Sequence, residues 1–99
     1  MEELELKQPA VYILANESGS CLYIGVTSNL KARIWQHKNS SVDGFSKRYN
    51  IDRLVYYELY LDITDAIKRE KQMKKWKREW KESLIAETNL SWADLYDTL

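Results

Sequence analysis

Three residues in the stretch Leu22 to Lys38, LYIGVTSNLKARIWQHK, are of types that could handle a phosphate. Arg33 and His37 are four residues apart, which stacks them on one face of a helix. Arg33 is always charged and can fork onto two phosphate oxygens. Tyr23 precedes them on a segment with the period-two pattern of a strand, and Tyr12 lies on an earlier segment of the same kind. Further on, Glu70 falls on the apolar stripe of a helix marked by Ile63, Ala66, Ile67 and Met73, whereas Lys68, Arg69 and Lys71 lie off it. A carboxylate on a core-facing stripe is costly unless something pairs with it. Two readings stay open for it: a buried salt bridge, or a metal ligand at the mouth of a cleft.

The elements that must position these groups follow from the pattern. Ala10–Ala15 alternates as a strand, and Cys21–Val26 as a second. The turn cluster Asn16–Ser20 between them predicts an antiparallel hairpin; its register is not fixed by sequence, and one register puts Tyr12 and Tyr23 on one face. A sharp turn at Gly25–Thr27 leads to Ser28 or Asn29 as N-cap, and to a helix over Asn29–Asn39 with Leu30 and Ile34 on its apolar side and Trp35 either in the core or at the surface. Asn39–Gly44 is a loop and Phe45–Tyr49 its far arm. Strand three spans Arg53–Tyr60, with Leu54, Tyr56, Glu58 and Tyr60 on one face and Val55, Tyr57 and Leu59 on the other. Helix two starts in Asp62–Asp65 with Thr64 as cap and ends near Trp76. Helix three begins around Lys77, carries Trp80, Leu84 and Ile85, and stops at Asn89. Ser91 then caps a short closing helix, and Trp76, Trp80 and Trp92 fill the core between the late helices. The order β-β-α-β-α-α predicts an α+β domain, a three-stranded, mostly antiparallel sheet flanked by helices.

Ninety-nine residues with 44% hydrophobic side chains suffice for one folded domain, residues 1–99. Cys21 is the single cysteine, which suits a reducing compartment. No apolar run approaches the ~20 residues of a membrane span, and the start MEELELKQ is acidic, so a cytoplasmic location is expected. Net charge is zero, yet Lys68–Lys81 holds eight Lys/Arg against Glu70 and Glu79. That run is either a solvated helix face or a surface that tracks phosphates.

Together the pieces resemble the GIY-YIG nuclease superfamily in its small stand-alone bacterial form. The matching residues are Ala10-Val11-Tyr12 (or Val11-Tyr12-Ile13), Tyr23-Ile24-Gly25, Arg33 and His37, and Glu70 in AIKREKQMKKW, with GFSKRYNIDRLVYYE and NLSWADLY as supporting segments. The match spans roughly residues 9–97. Ala10 and Val11 depart from the family's glycine and isoleucine, and the added methyl puts the fit to substrate in question. The resemblance implies a Mg²⁺-dependent DNA endonuclease or nickase acting on damaged or structured DNA. It makes Tyr12, Tyr23, Arg33, His37 and Glu70 the catalytic set, and Lys47, Tyr49 and Asn89 substrate-binding or supporting groups. Glu70 would hold a single Mg²⁺ or Mn²⁺, and Tyr12, its anion favoured by Arg33 and the metal, would accept a proton from water. No second domain reads sequence, so a protein partner would supply specificity. Two rivals remain: a non-catalytic nucleic-acid- or protein-binding module on this fold, and a plain interaction domain in which Glu70 pairs with Arg33 and Tyr12.

Overall fold

Apolar residues occupy every position of AVYILA, so that segment has to be covered on both sides, and it becomes the middle strand. The computed structural model describes residues 8–39 and 50–99; Lys47 and Tyr49 lie outside them. β1 (Ala10–Ala15), β2 (Leu22–Thr27) and β3 (Arg53–Leu59) form an antiparallel sheet in the order β2-β1-β3. Helices α1 (Leu30–Lys38), α2 (Ile63–Lys74) and α3 (Arg78–Thr88) follow the expected order, and a single 3-10 turn, Tyr96–Thr98, closes the chain.

Alternation along β1 divides the core in two. Val11, Ile13 and Ala15 face α2 and α3, packing with Ile24, Val55, Tyr56, Ala66, Met73 and Ile85. Ala10, Tyr12 and Leu14 face α1, packing with Leu30, Ile34, Ile51 and Leu54. Ala10 is fully buried there, so its methyl is absorbed by the core. The α1 helix is capped as expected by Asn29, whose side chain accepts from the Ala32 N–H at 3.2 Å.

Several expectations need correction. The cap of α2 is Asp62, which accepts from Thr64 N–H at 2.8 Å, two residues ahead of the expected Thr64. The faces of β3 do not alternate throughout. Pairing with β1 slips between Ile13 and Leu14, a bulge that puts Leu54 in the α1-side core while Val55 and Tyr56 both enter the other. No closing helix follows Ser91, because Trp92 adopts a left-handed backbone (φ 55°) incompatible with helix continuation. Trp80 is 54% exposed and Trp35 52%, so neither belongs to the core. Ile63 and Ile67 also face solvent, and the inward side of α2 is instead Ala66, Arg69, Glu70, Met73 and, just beyond its end, Trp76. No helix among the described residues is long and apolar enough to cross a membrane.

Candidate active site

Gly25 is what allows the centre of the site to exist. It pairs directly with Tyr12 across the hairpin, and the Tyr12 ring lies over it. A Cβ on Gly25 would fall 2.4 Å from the Tyr12 Cζ and hydroxyl oxygen, closer than any side chain tolerates. The ring is thereby pressed flat against the strand with its hydroxyl aimed at α1. There it meets His37 Nε2 at 3.1 Å in a buried hydrogen bond. Tyr23, diagonal to Tyr12 on the same sheet face, closes the group: its ring centroid is 6.3 Å from that of Tyr12 and 5.3 Å from that of His37. Arg33, one turn before His37 on α1, lies beside the Tyr12 and Tyr23 phenols, whose interaction with it favours its charged form, and donates to Gln36 Oε1 at 3.2 Å. The hairpin and the helix thus bring Tyr12, Tyr23, Arg33 and His37 together.

Glu70 approaches from the opposite layer. α2 packs across β2 and β1, and the Glu70 charge is felt at the Tyr12 phenol. Its carboxylate is largely covered and is paired with Lys74 at 2.9 Å, four residues on in the same helix. The expected alternative in which Glu70 pairs with Arg33 is not what forms. Among the described residues, Arg33 makes no ion pair with any carboxylate.

Burial dominates the electrostatics of the metal-free group. Burial, opposed by the Arg33 guanidinium beside it, pushes the Tyr12 phenol up to about 12, so in the metal-free protein Tyr12 is neutral. Burial and the Arg33 charge hold the His37 imidazole below its ordinary 6.5, which leaves it uncharged at neutral pH. The Arg33 guanidinium is pushed further toward its charged form by the phenols. The result is one fixed positive charge beside the neutral Tyr12 phenol, a neutral imidazole and the Tyr23 ring.

No three His, Cys, Asp or Glu side chains gather to hold a metal among the described residues. The donor set still suits one hard cation. Glu70 offers a single carboxylate whose partner, Lys74, is half-exposed and able to swing away, and Mg²⁺ commonly takes one carboxylate with water and phosphate oxygens completing its shell.

Asn89 is placed differently from a substrate contact. Its amide donates to the carbonyls of Val55 (3.0 Å) and Ala93 (2.8 Å) and accepts from Ala93 N–H (3.0 Å), which ties the C-terminal segment to β3. A second polar cluster was not foreseen. Glu58 on β3 accepts from both Arg69 Nε and Nη2 at 3.0 Å and from the Tyr56 and Tyr60 hydroxyls, while Arg69 lies 4.8 Å from the Trp76 ring centre. The available signal was the acid between two tyrosines at two-residue spacing, Tyr56-Glu58-Tyr60, a pattern that puts all three on one sheet face.

The fold agrees with that of similar proteins. Residues 8–83 match the family described as the GIY-YIG catalytic domain. The chain belongs to the GIY-YIG family. UPF0213 proteins of Staphylococcus epidermidis and Staphylococcus aureus are each 35% identical to it over 77 residues, 78% of this chain and 93% of theirs. The solution NMR structure of the UPF0213 protein from Bacillus halodurans superposes with a TM-score of 0.56 at 25% identity, covering 88% of this chain and 92% of that one. The GIY-YIG domain is of nuclease type, and the α+β sheet-and-helix architecture is shared with that neighbour.

Proposed function

We propose that this GIY-YIG domain is a Mg²⁺-dependent endonuclease that hydrolyses a backbone phosphodiester of DNA, nicking damaged or structured sites. The observation that carries the reading is Arg33, a cation without a carboxylate partner among the described residues, set against two phenols and a neutral imidazole. Such a group is built to receive an anion.

Arg33 takes the phosphoryl oxygens, where negative charge grows in the transition state. Tyr12 is the proton-handling group. With its pKa near 12 it is not a base on its own at neutral pH, but it is bonded to His37 Nε2. In the tautomer protonated on Nδ1, His37 accepts the Tyr12 proton as Tyr12 takes one from the attacking water. The phenol therefore relays a proton without standing as an anion. Tyr23 holds the water or a phosphate oxygen through its hydroxyl. Glu70 would hold the Mg²⁺, which would supply positive charge to the reacting phosphate when bound. Zero net charge and contacts to the backbone alone favour recognition of DNA shape over sequence, with a partner protein supplying specificity.

The test is conversion of supercoiled plasmid to the nicked form in Mg²⁺. Nicking should stop with EDTA and in Glu70→Ala and Arg33→Ala variants that keep the wild-type circular dichroism. Binding of DNA without cutting, unaltered by Glu70→Ala, would assign the domain to nucleic-acid binding instead.

A further inference from the structure

Glu70 must be aimed at the hairpin, yet its own ion pair cannot aim it. Lys74 lies on the same helix and turns with it, so that pair leaves the roll of α2 about its axis free. The apolar contacts that α2 itself makes are loose guides as well. Its buried residues are Ala66, a single methyl, and Met73, an adaptable unbranched chain. What crosses from α2 to the sheet with defined geometry is Arg69. Its guanidinium makes a two-pronged bond to Glu58 on β3, both arms at 3.0 Å, and stacks on Trp76. Glu58 is itself held by the hydroxyls of Tyr56 and Tyr60, so the anchor cannot drift. Arg69 and Glu58 keep only 27% and 18% of their side chains exposed. Successive helix residues are roughly 100° apart. Fixing Arg69 on the β3 flank therefore turns Glu70 away from β3, toward the β1–β2 hairpin.

We propose that the Arg69–Glu58 clamp is the positioning device for Glu70: it sets the roll of α2 and so the place where a divalent cation is held. This rests on the nuclease reading above. Arg69 is a positioning residue and touches neither substrate nor ion.

The experiment measures Mn²⁺ affinity by EPR on the full chain, together with the Mg²⁺ concentration for half-maximal nicking and the thermal midpoint. The variants are Arg69→Leu, Arg69→Lys and Glu58→Gln. Arg78→Leu is the comparator, since Arg78 clamps the hairpin turn through the Ser20 and Gly19 carbonyls and is remote from the ion's carboxylate in role. Arg69→Leu should weaken Mn²⁺ binding and raise the Mg²⁺ requirement about tenfold, the range seen when groups supporting a metal ligand are removed. Arg69→Lys keeps the charge, loses the fork, and should shift both by less. The direction is diagnostic. Removing a nearby positive charge would by itself tighten cation binding, so weaker binding reports geometry. Arg78→Leu should lower the thermal midpoint without moving either metal value. If Arg69→Leu does not fold, Arg69→Lys and Glu58→Gln carry the test. Unchanged Mn²⁺ affinity in the folded clamp variants, with Glu70→Ala inactive, overturns the clamp and leaves the nuclease reading. A wild-type chain that neither binds Mn²⁺ through Glu70 nor nicks DNA removes both.

Discussion

The sheet carries two clusters of nearly the same composition, one on each face, and they do opposite things. On the α2 side, Tyr56, Tyr60, Arg69 and Glu58 satisfy one another: the carboxylate accepts four hydrogen bonds and the arginine is neutralised by it. Burial raises Glu58, but the bonds from Arg69, Tyr56 and Tyr60 outweigh it and hold the carboxyl below its ordinary value, and burial with the Glu58 bond pushes Tyr60 up to about 12. On the α1 side, Tyr12, Tyr23 and Arg33 are joined by a neutral histidine in place of an acid. That cluster keeps its positive charge. The difference teaches that two tyrosines and an arginine do not make a site; what decides is where the carboxylate goes. Paired inside the cluster it makes a structural clasp, and held one layer away, as Glu70 is, it leaves the cation for an incoming anion.

This contrast can be broken in order of expected size. Arg33→Ala should reduce nicking by about 10²–10³-fold while the thermal midpoint stays close to wild type, as measured by plasmid relaxation and calorimetry. Gly25→Ala should cost about 10²-fold in rate, because its methyl would displace the Tyr12 hydroxyl from His37. Arg69→Leu, assayed at saturating Mg²⁺, should show the reverse of Arg33→Ala, with the midpoint lowered and the nicking rate largely kept. Leaving Glu58 without its charged partner should destabilise the fold by about 2 kcal/mol, which lowers the midpoint by roughly 8–16 °C. The smallest effect is pH dependence. The unfolded His37 binds a proton below 6.5 more readily than the folded one, so its share of stability is present above 6.5 and lost as pH falls through the depressed native value. Glu58 has the same sign with a lower window, its share being lost only as pH falls below 4.5 through its native value. Midpoints followed on acidification should therefore fall first through the α1-side cluster, and His37→Asn should flatten that first decline.

Much of this was legible in the chain, and the parts that were not have physical reasons. Period-two alternation allowed Tyr12 and Tyr23 to share one face, and four-residue spacing stacked Arg33 over His37, because both patterns are set by backbone geometry. The bulge at Val55 was hidden, since a slipped pairing leaves no mark in hydrophobicity. The closing helix failed at Trp92, whose ring packs on Gly19 of the hairpin turn, a contact between distant parts of the chain that overrides local propensity. The rise of the Tyr12 phenol in the metal-free protein was not legible, because depth of burial leaves no mark in sequence spacing. Arg69 was read as lying off the apolar stripe, and its role was hidden because its partner, Glu58, is on a strand of the sheet.

The most direct test removes a single oxygen. Tyr12→Phe keeps the ring over Gly25 and its packing against α1, and deletes only the hydroxyl bonded to His37. In Mg²⁺, with an unchanged fold and unchanged Mn²⁺ binding, this variant should leave supercoiled plasmid uncut. Nicking by Tyr12→Phe at the wild-type rate would contradict the account.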